Sequence, residues 1–276
     1  MVTSLSCCIV KGLNLALRST DHSAAVRQRL PAGASVQEGL SPSRSQDSGG
    51  RRIDRELAST LPQPLEPPMR LYYHPLSGTS RRVVMTAIHL NATLERVVVD
   101  LLRGEHRTAD YLRLNPNGKV PLLDDDGFML WESHAIMQYL ADQSPGQTLY
   151  PQDVRARADV NRWLFWSANH FTPAVGMISR ERVSKRMVGG SGAPDPVEIE
   201  RGEALLTAAA RLLDRHLAGK QWIAQDKLTL ADLAIAAPLM HTAAAQLPVL
   251  EFENLQAWFA RVQALDAWQR SVPGAA

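Results

Sequence analysis

The chain has 276 residues, 45% of them hydrophobic and 21% charged, with a net charge of +2 at pH 7. That length fits one or two ordinary globular domains. The small positive balance belongs to residues 1–68, because basic and acidic side chains are equal in number from residue 69 onward; nothing asks for a nucleic-acid partner. No apolar run approaches the ~20 residues that span a bilayer.

Residues 1–68 hold none of the sixteen Phe, Trp and Tyr side chains but six of the seventeen prolines. Such a segment lacks the apolar surface to fold alone and is expected to be a disordered extension. An upstream over-extended start with Met69 as the true first residue is one reading; the Arg-bearing, acid-poor stretch vaguely resembles a transit peptide, and a secretory signal is not expected. Cys7 and Cys8 are the only cysteines. The rest of the chain therefore has no disulfide framework and no cysteine nucleophile.

Arg70–Tyr73 reads as a strand, 74–79 as a loop, and Ser80–Leu90 has helical spacing through Val83, Val84, Ala87 and Ile88. Leu94–Val99 is a second strand, and Thr108 can cap a short helix over 109–114. Val120–Trp131 forms a hairpin around Asp124-Asp125-Asp126-Gly127, and a helix opens at Ser133. The order β-α-β-α-β-β-α, with a proline heading the third strand, is the thioredoxin-like arrangement. Residues 144–153 read as a linker, and every periodic segment beyond is helical: 154–169, 196–218, 229–237 and 254–265. Thr229 and Asp232 have capping-box spacing, a structural use. The expected fold is α+β, with an extension (1–68), a thioredoxin-like domain (69–143) and an all-α helical bundle (154–276).

The stretch NPNGKVPLLDDDGFMLWES, residues 115–133, carries the chemistry. Pro121 removes a ladder donor at the head of a strand, and a cis bond before it would turn the N–H and C=O of Val120 outward. A helix start at Ser133 offers free N–H groups to an anion. A backbone edge and a carboxylate pocket one hairpin apart suit an extended peptide with a free α-carboxylate.

With LYYHPLSGTSRRV, RGEH, NPNGKVPLL, WESHAI and TLADL in this order, the chain resembles the cytosolic glutathione transferases, nearest to theta-like and bacterial members. The resemblance spans about residues 69–271. It implies glutathione as co-substrate, no metal, a homodimer and a cytoplasmic location. It assigns Ser77 to the glutathione thiolate, with Ser80 or Thr79 as alternatives if the loop register slips. Val120 would pair with the cysteinyl unit beside a cis Pro121; Glu132 and Ser133 would hold the γ-glutamyl end, and Lys119 and His106 the glycyl carboxylate.

The chemistry agrees with that assignment. A free thiol has a pKa near ~8.5, so most of it is protonated at neutral pH. Lowering it by about two units requires roughly 2.7 kcal/mol. One hydrogen bond to the thiolate at ~1.5–3 kcal/mol, plus ~0.3–1 kcal/mol from a helix N-terminus, covers that. The implied reaction is conjugation of small hydrophobic electrophiles, or dehalogenation through the same thiolate. A binding module with little turnover is the competing reading. Trp163, Phe165, Trp166, His170, Phe171 and Met177 are expected mainly in packing or subunit contact, with part of the stretch lining a co-substrate pocket.

Overall fold

The computed structural model describes residues 69–187, 192–249 and 251–273. The expectations for residues 1–68, and most of the glycine-rich break at 189–192, lie outside the described residues. Strand β1 (Met69–Tyr73) pairs in parallel with β2 (Leu94–Val98) and antiparallel with β3 (Leu122–Asp125), which pairs antiparallel with β4 (Phe128–Trp131), giving the order β2-β1-β3-β4. Tyr72 stands opposite Leu122 and Leu122 opposite Trp131. The hairpin register therefore delivers the end of β4 to the level of Pro121.

Helix α1 (Gly78–Leu90) covers one sheet face, on which Leu71 and Leu123 are fully buried. It is buried from Ser80 to Ala87 because the helical half lies over its outer side. Short helix α2 (Ala109–Leu114), capped by the Thr108 hydroxyl on the Tyr111 N–H, closes the other face. There Tyr111 packs edge-on to Tyr72 beside Val99 and Val120. Helix α3 (Ser133–Asp142) follows β4 directly and packs on α1. The expected thioredoxin-like order is thus present. The strand begins at Leu122, with Val120 and the cis Val120–Pro121 bond just ahead of it.

From α4 (Val154–Trp166) one helical run continues through a π turn (Ser167–Phe171), α5 (Thr172–Ser179) and a second π turn (Arg180–Ser184) to Met187. Pro173 cannot donate within this run, and the first π turn opens the ladder just before it. Helices α6 (Pro196–Leu217), α7 (Leu230–Ala236), α8 (Glu253–Gln263) and α9 (Asp266–Arg270) follow, with a 3-10 turn (Ala237–His241) and a single helical turn (Thr242–Ala245) between α7 and α8. The buried side chains of this half are continuous with those of the sheet. The capping box forms as expected, and Asp232 also accepts from the Ile223 N–H and the Trp258 indole.

Two contacts fix α1 against the helical half. A Cβ on Gly78 would lie 2.9 Å from the Pro238 Cα, closer than packed atoms sit, so the helix start requires glycine there. Arg81 stacks 3.8 Å over the Trp268 ring and donates to the Trp268 carbonyl at 2.9 Å.

Candidate active site

Ser77 is the N-cap of α1, its hydroxyl accepting from the Ser80 N–H at 3.2 Å. The Ser77 and Thr79 hydroxyls lie 2.9 Å apart. Thr79 gives its one hydroxyl proton to the Val120 carbonyl at 3.2 Å, which makes Ser77 the donor to Thr79. A hydroxyl relay thus runs from the helix start to the Val120 edge, 41 residues on in sequence. Ser80 is fully buried, accepts from the His74 N–H at 3.4 Å and lines no cavity beside the loop.

A cavity of about 260 Å³ opens beside this relay. Thr79, Lys119, Val120, Pro121, Glu132 and Ser133 line it. Asn115 shapes its rim: its amide donates to the Lys119 carbonyl at 2.7 Å and its carbonyl accepts from the Asn117 N–H at 3.1 Å. The Tyr111 hydroxyl also donates to the Lys119 carbonyl, at 2.7 Å. With Lys119 held from both sides, Val120 is left facing the cavity. Among the described residues its N–H has no hydrogen-bond partner.

Across the cavity, Glu132 occupies φ 72°, ψ 109°, a conformation costing of order 1–3 kcal/mol for a residue with a side chain. That bend takes the chain straight from β4 into α3. The helix opens at Ser133 as expected; Glu132 is the N-cap without a side-chain bond, and Ser133 is the first helical residue. The Ser133 hydroxyl is therefore not engaged by its own helix. It accepts from Arg82 at 3.4 Å.

Sequence reasoning missed Arg82. This side chain is 1% exposed, points from α1 into the cavity and meets only neutral groups. It reaches Ser133, the His134 Nε2 at 2.7 Å and the Thr172 hydroxyl at 2.9 Å. Its Nε is buried without an acceptor, and no carboxylate lies within ion-pairing distance among the described residues. Burial lowers its pKa to about 9, with the more distant Glu132 opposing that drop. Burial and then the Arg82 charge push His134 down to about 2, so the ring is neutral and accepts from Arg82. A buried cation without a counter-ion costs several kcal/mol and, in a cavity, attracts an anion.

The structure thus brings Lys119, Val120, Pro121, Glu132 and Ser133 into one cavity, with Thr79 on its wall and Ser77 one hydroxyl away. His106 does not line it; it lines a second cavity of about 660 Å³, which His74 and Leu76 of the 74–79 loop also line. The His106 carbonyl nevertheless abuts Gly118, next to Asn117 and Lys119 on the wall of the smaller cavity. The signal that could have revealed Arg82 is the run Val83–Ala87 beside it, apolar but for Thr86, which spans more than one turn of α1 and so marks the helix as buried around much of its circumference.

A thioredoxin-like half with a cis-proline edge, joined to a helical half, carries one cavity beside that edge and a second lined from both halves. Comparisons with known proteins name the class. Residues 67–142 match the family described as glutathione S-transferase, N-terminal domain, and residues 185–266 its C-terminal domain. Glutathione S-transferase 3 of Zea mays is 33% identical over 210 residues, covering 74% of this chain and 93% of the relative. A crystal structure of a possible glutathione S-transferase from Rhodopseudomonas palustris is 31% identical with a TM-score of 0.66, covering 72% and 87% of the two chains. Glutathione transferase F7 from Populus trichocarpa is 27% identical with a TM-score of 0.68, over 75% and 99%. The chain belongs to the glutathione S-transferase family. It is a glutathione transferase, with glutathione as co-substrate.

Proposed function

We propose that glutathione lies extended across the smaller cavity, with its sulfur at Ser77. The carrying observation is one cavity that joins an unpartnered N–H at Val120, a Ser133 hydroxyl left free by its own helix and touched only by Arg82, and a cation lacking a counter-ion at Arg82. The cysteinyl unit pairs with the Val120 backbone, which the cis bond to Pro121 turns outward. Glu132 receives the γ-glutamyl ammonium, while Ser133 and Arg82 receive its α-carboxylate. The glycyl carboxylate lies toward Lys119 and His106.

Ser77 gives up its bond to Thr79 and donates to the thiolate at the positive end of α1. The relay keeps that hydroxyl aimed, because Thr79 is tied to Val120. The thiolate then attacks a small hydrophobic electrophile held in the larger cavity; dehalogenation would use the same thiolate. Kinship with theta-like and bacterial members rests on the loop sequence LYYHPLSGTSRRV. Exposed Phe128, Trp131 and Phe165 support a symmetric homodimer. Cytoplasmic location and the division at residues 144–153 belong to the same reading. Among the described residues no helix is long and apolar enough to cross a membrane, and no group of side chains is placed to hold a metal.

The test is Ser77→Ala. Glutathione affinity should stay within a few-fold, turnover should fall by more than tenfold, and the apparent thiol pKa should rise. A pH–rate profile matching the wild type would move the role to Thr79 or a water.

A further inference from the structure

The larger cavity has an unusual wall for a pocket that receives apolar electrophiles. Its apolar surface comes from Leu76, Leu101, Leu102 and Met187, on both halves of the molecule. Four cations stand around that surface: Arg103 and Arg107 from the segment after β2, Arg180 and Lys185 from the second π turn and its continuation. Among the described residues no carboxylate lines the cavity. Arg103 is held by Asp100 at 3.5 Å and Lys185 by Glu181 at 2.5 Å, outside the lining. Arg107 and Arg180 have no ion-pair partner among the described residues, and they come from opposite walls. His106, on the same wall, is kept below the usual histidine range by burial first, then by Arg107 and His74. The π turn that carries Arg180 is the kind of helix irregularity that gathers at functional sites.

An apolar surface between two guanidinium groups unpaired among the described residues suits a hydrophobic body with a negative substituent. We infer that the co-substrate cavity selects electrophiles bearing an anionic group, such as a carboxylate or sulfonate, over neutral ones of the same reactivity. The inference rests on the reading that Ser77 holds the thiolate beside this cavity. In the reaction with an aryl halide, the glutathione sulfur forms a bond to the ring carbon and the carbon–halogen bond breaks. The halide leaves with the bonding pair, and the thiol proton goes to solvent. Arg107 and Arg180 hold the distal anion and are positioning residues, touching no reacting atom.

The experiment compares 1-chloro-2,4-dinitrobenzene with 4-chloro-3,5-dinitrobenzoate, each kcat/KM divided by the uncatalysed rate with glutathione at the same pH. The wild type should favour the benzoate by tenfold or more at low salt, and the preference should shrink as salt rises, because these arginines are exposed. Arg107→Glu and Arg180→Glu should each lower the benzoate-to-neutral ratio by tenfold. Turnover of the neutral halide with no gain for the benzoate, or a ratio unmoved by both charge reversals, would overturn the inference and leave the Ser77 reading intact. Failure of both halides to turn over would instead count against the Ser77 reading. Calorimetry with the two finished conjugates then still reads the cavity: equal affinity for the charged and neutral conjugates would overturn the anionic preference.

Discussion

Asp232 and Arg82 are both charged side chains removed from water, and they stand in opposite conditions. The Asp232 carboxylate receives four donors: the Ile223 and Thr229 N–H groups at 2.9 Å each, the Trp258 indole at 2.8 Å and the Thr229 hydroxyl at 3.1 Å. Those fill its lone-pair sites, and it faces packed helices rather than space. Arg82 meets three neutral acceptors, leaves Nε without one and faces a cavity. A closed polar centre holds the helical half together; an open one keeps an unanswered charge beside a cavity. The contrast separates architecture from chemistry without reference to any relative.

The largest effect should follow from breaking the closed centre. Asp232→Ala orphans four buried donors at ~1–3 kcal/mol each before relaxation. With about 2–4 °C lost per kcal/mol in a protein of this size, the melting temperature should fall by on the order of 10 °C. KM for glutathione, measured well below that temperature, should not change. A stability near that of the wild type would remove one side of the comparison.

Ser133→Ala should act on affinity alone. Loss of a hydroxyl bond to a carboxylate costs about 1.5–3 kcal/mol, some ten- to a hundredfold in glutathione affinity. Because Glu132 and not Ser133 is the N-cap, the melting temperature should hold within a degree or two. The loss belongs in KM, since the γ-glutamyl end is remote from the reacting sulfur. A lower melting temperature with unchanged affinity would make Ser133 a structural residue.

A smaller effect separates the two centres by pH. The His134 pKa falls from 6.5 unfolded to about 2 folded, so between those values the unfolded chain binds the extra proton and stability drops as pH is lowered. Asp232 is raised from 3.8 to about 6, so the folded state binds the extra proton there, and its contribution is lost as pH rises through 6. The signs are opposite. His134→Asn, which keeps an acceptor for Arg82 but cannot titrate, should spare about 1 kcal/mol of the stability lost between pH 7 and 5.5. An unchanged slope would mean that His134 is not the group responsible.

The hairpin, the cis-proline edge and the capping box were legible because each is local: turn residues, a proline and a carboxylate at fixed short spacings. The Ser77 loop was legible as a helix start, but its relay was not. The bond from Thr79 to Val120 joins positions 41 residues apart, and only the sheet register brings them together. Arg82 was hidden for the same reason, since its partners lie 51, 52 and 90 residues away. The π turns were unreadable because they depend on how the helical run accommodates Pro173 against its neighbours. The strained Glu132 left no trace either, as glutamate has no preference for that conformation.

The central claim is that Arg82 waits for the γ-glutamyl α-carboxylate of glutathione, and a thermodynamic cycle tests it most directly. Glutathione and its analogue amidated at that carboxylate are titrated calorimetrically into the wild type and into Arg82→Gln. The analogue should bind the wild type ten- to a hundredfold more weakly than glutathione, about 1.5–3 kcal/mol, and the variant should scarcely distinguish the two. Removing an uncompensated buried cation should also leave the fold as stable as before or more so. An equal loss of affinity for the analogue on both proteins would contradict the account, and would place the carboxylate away from Arg82.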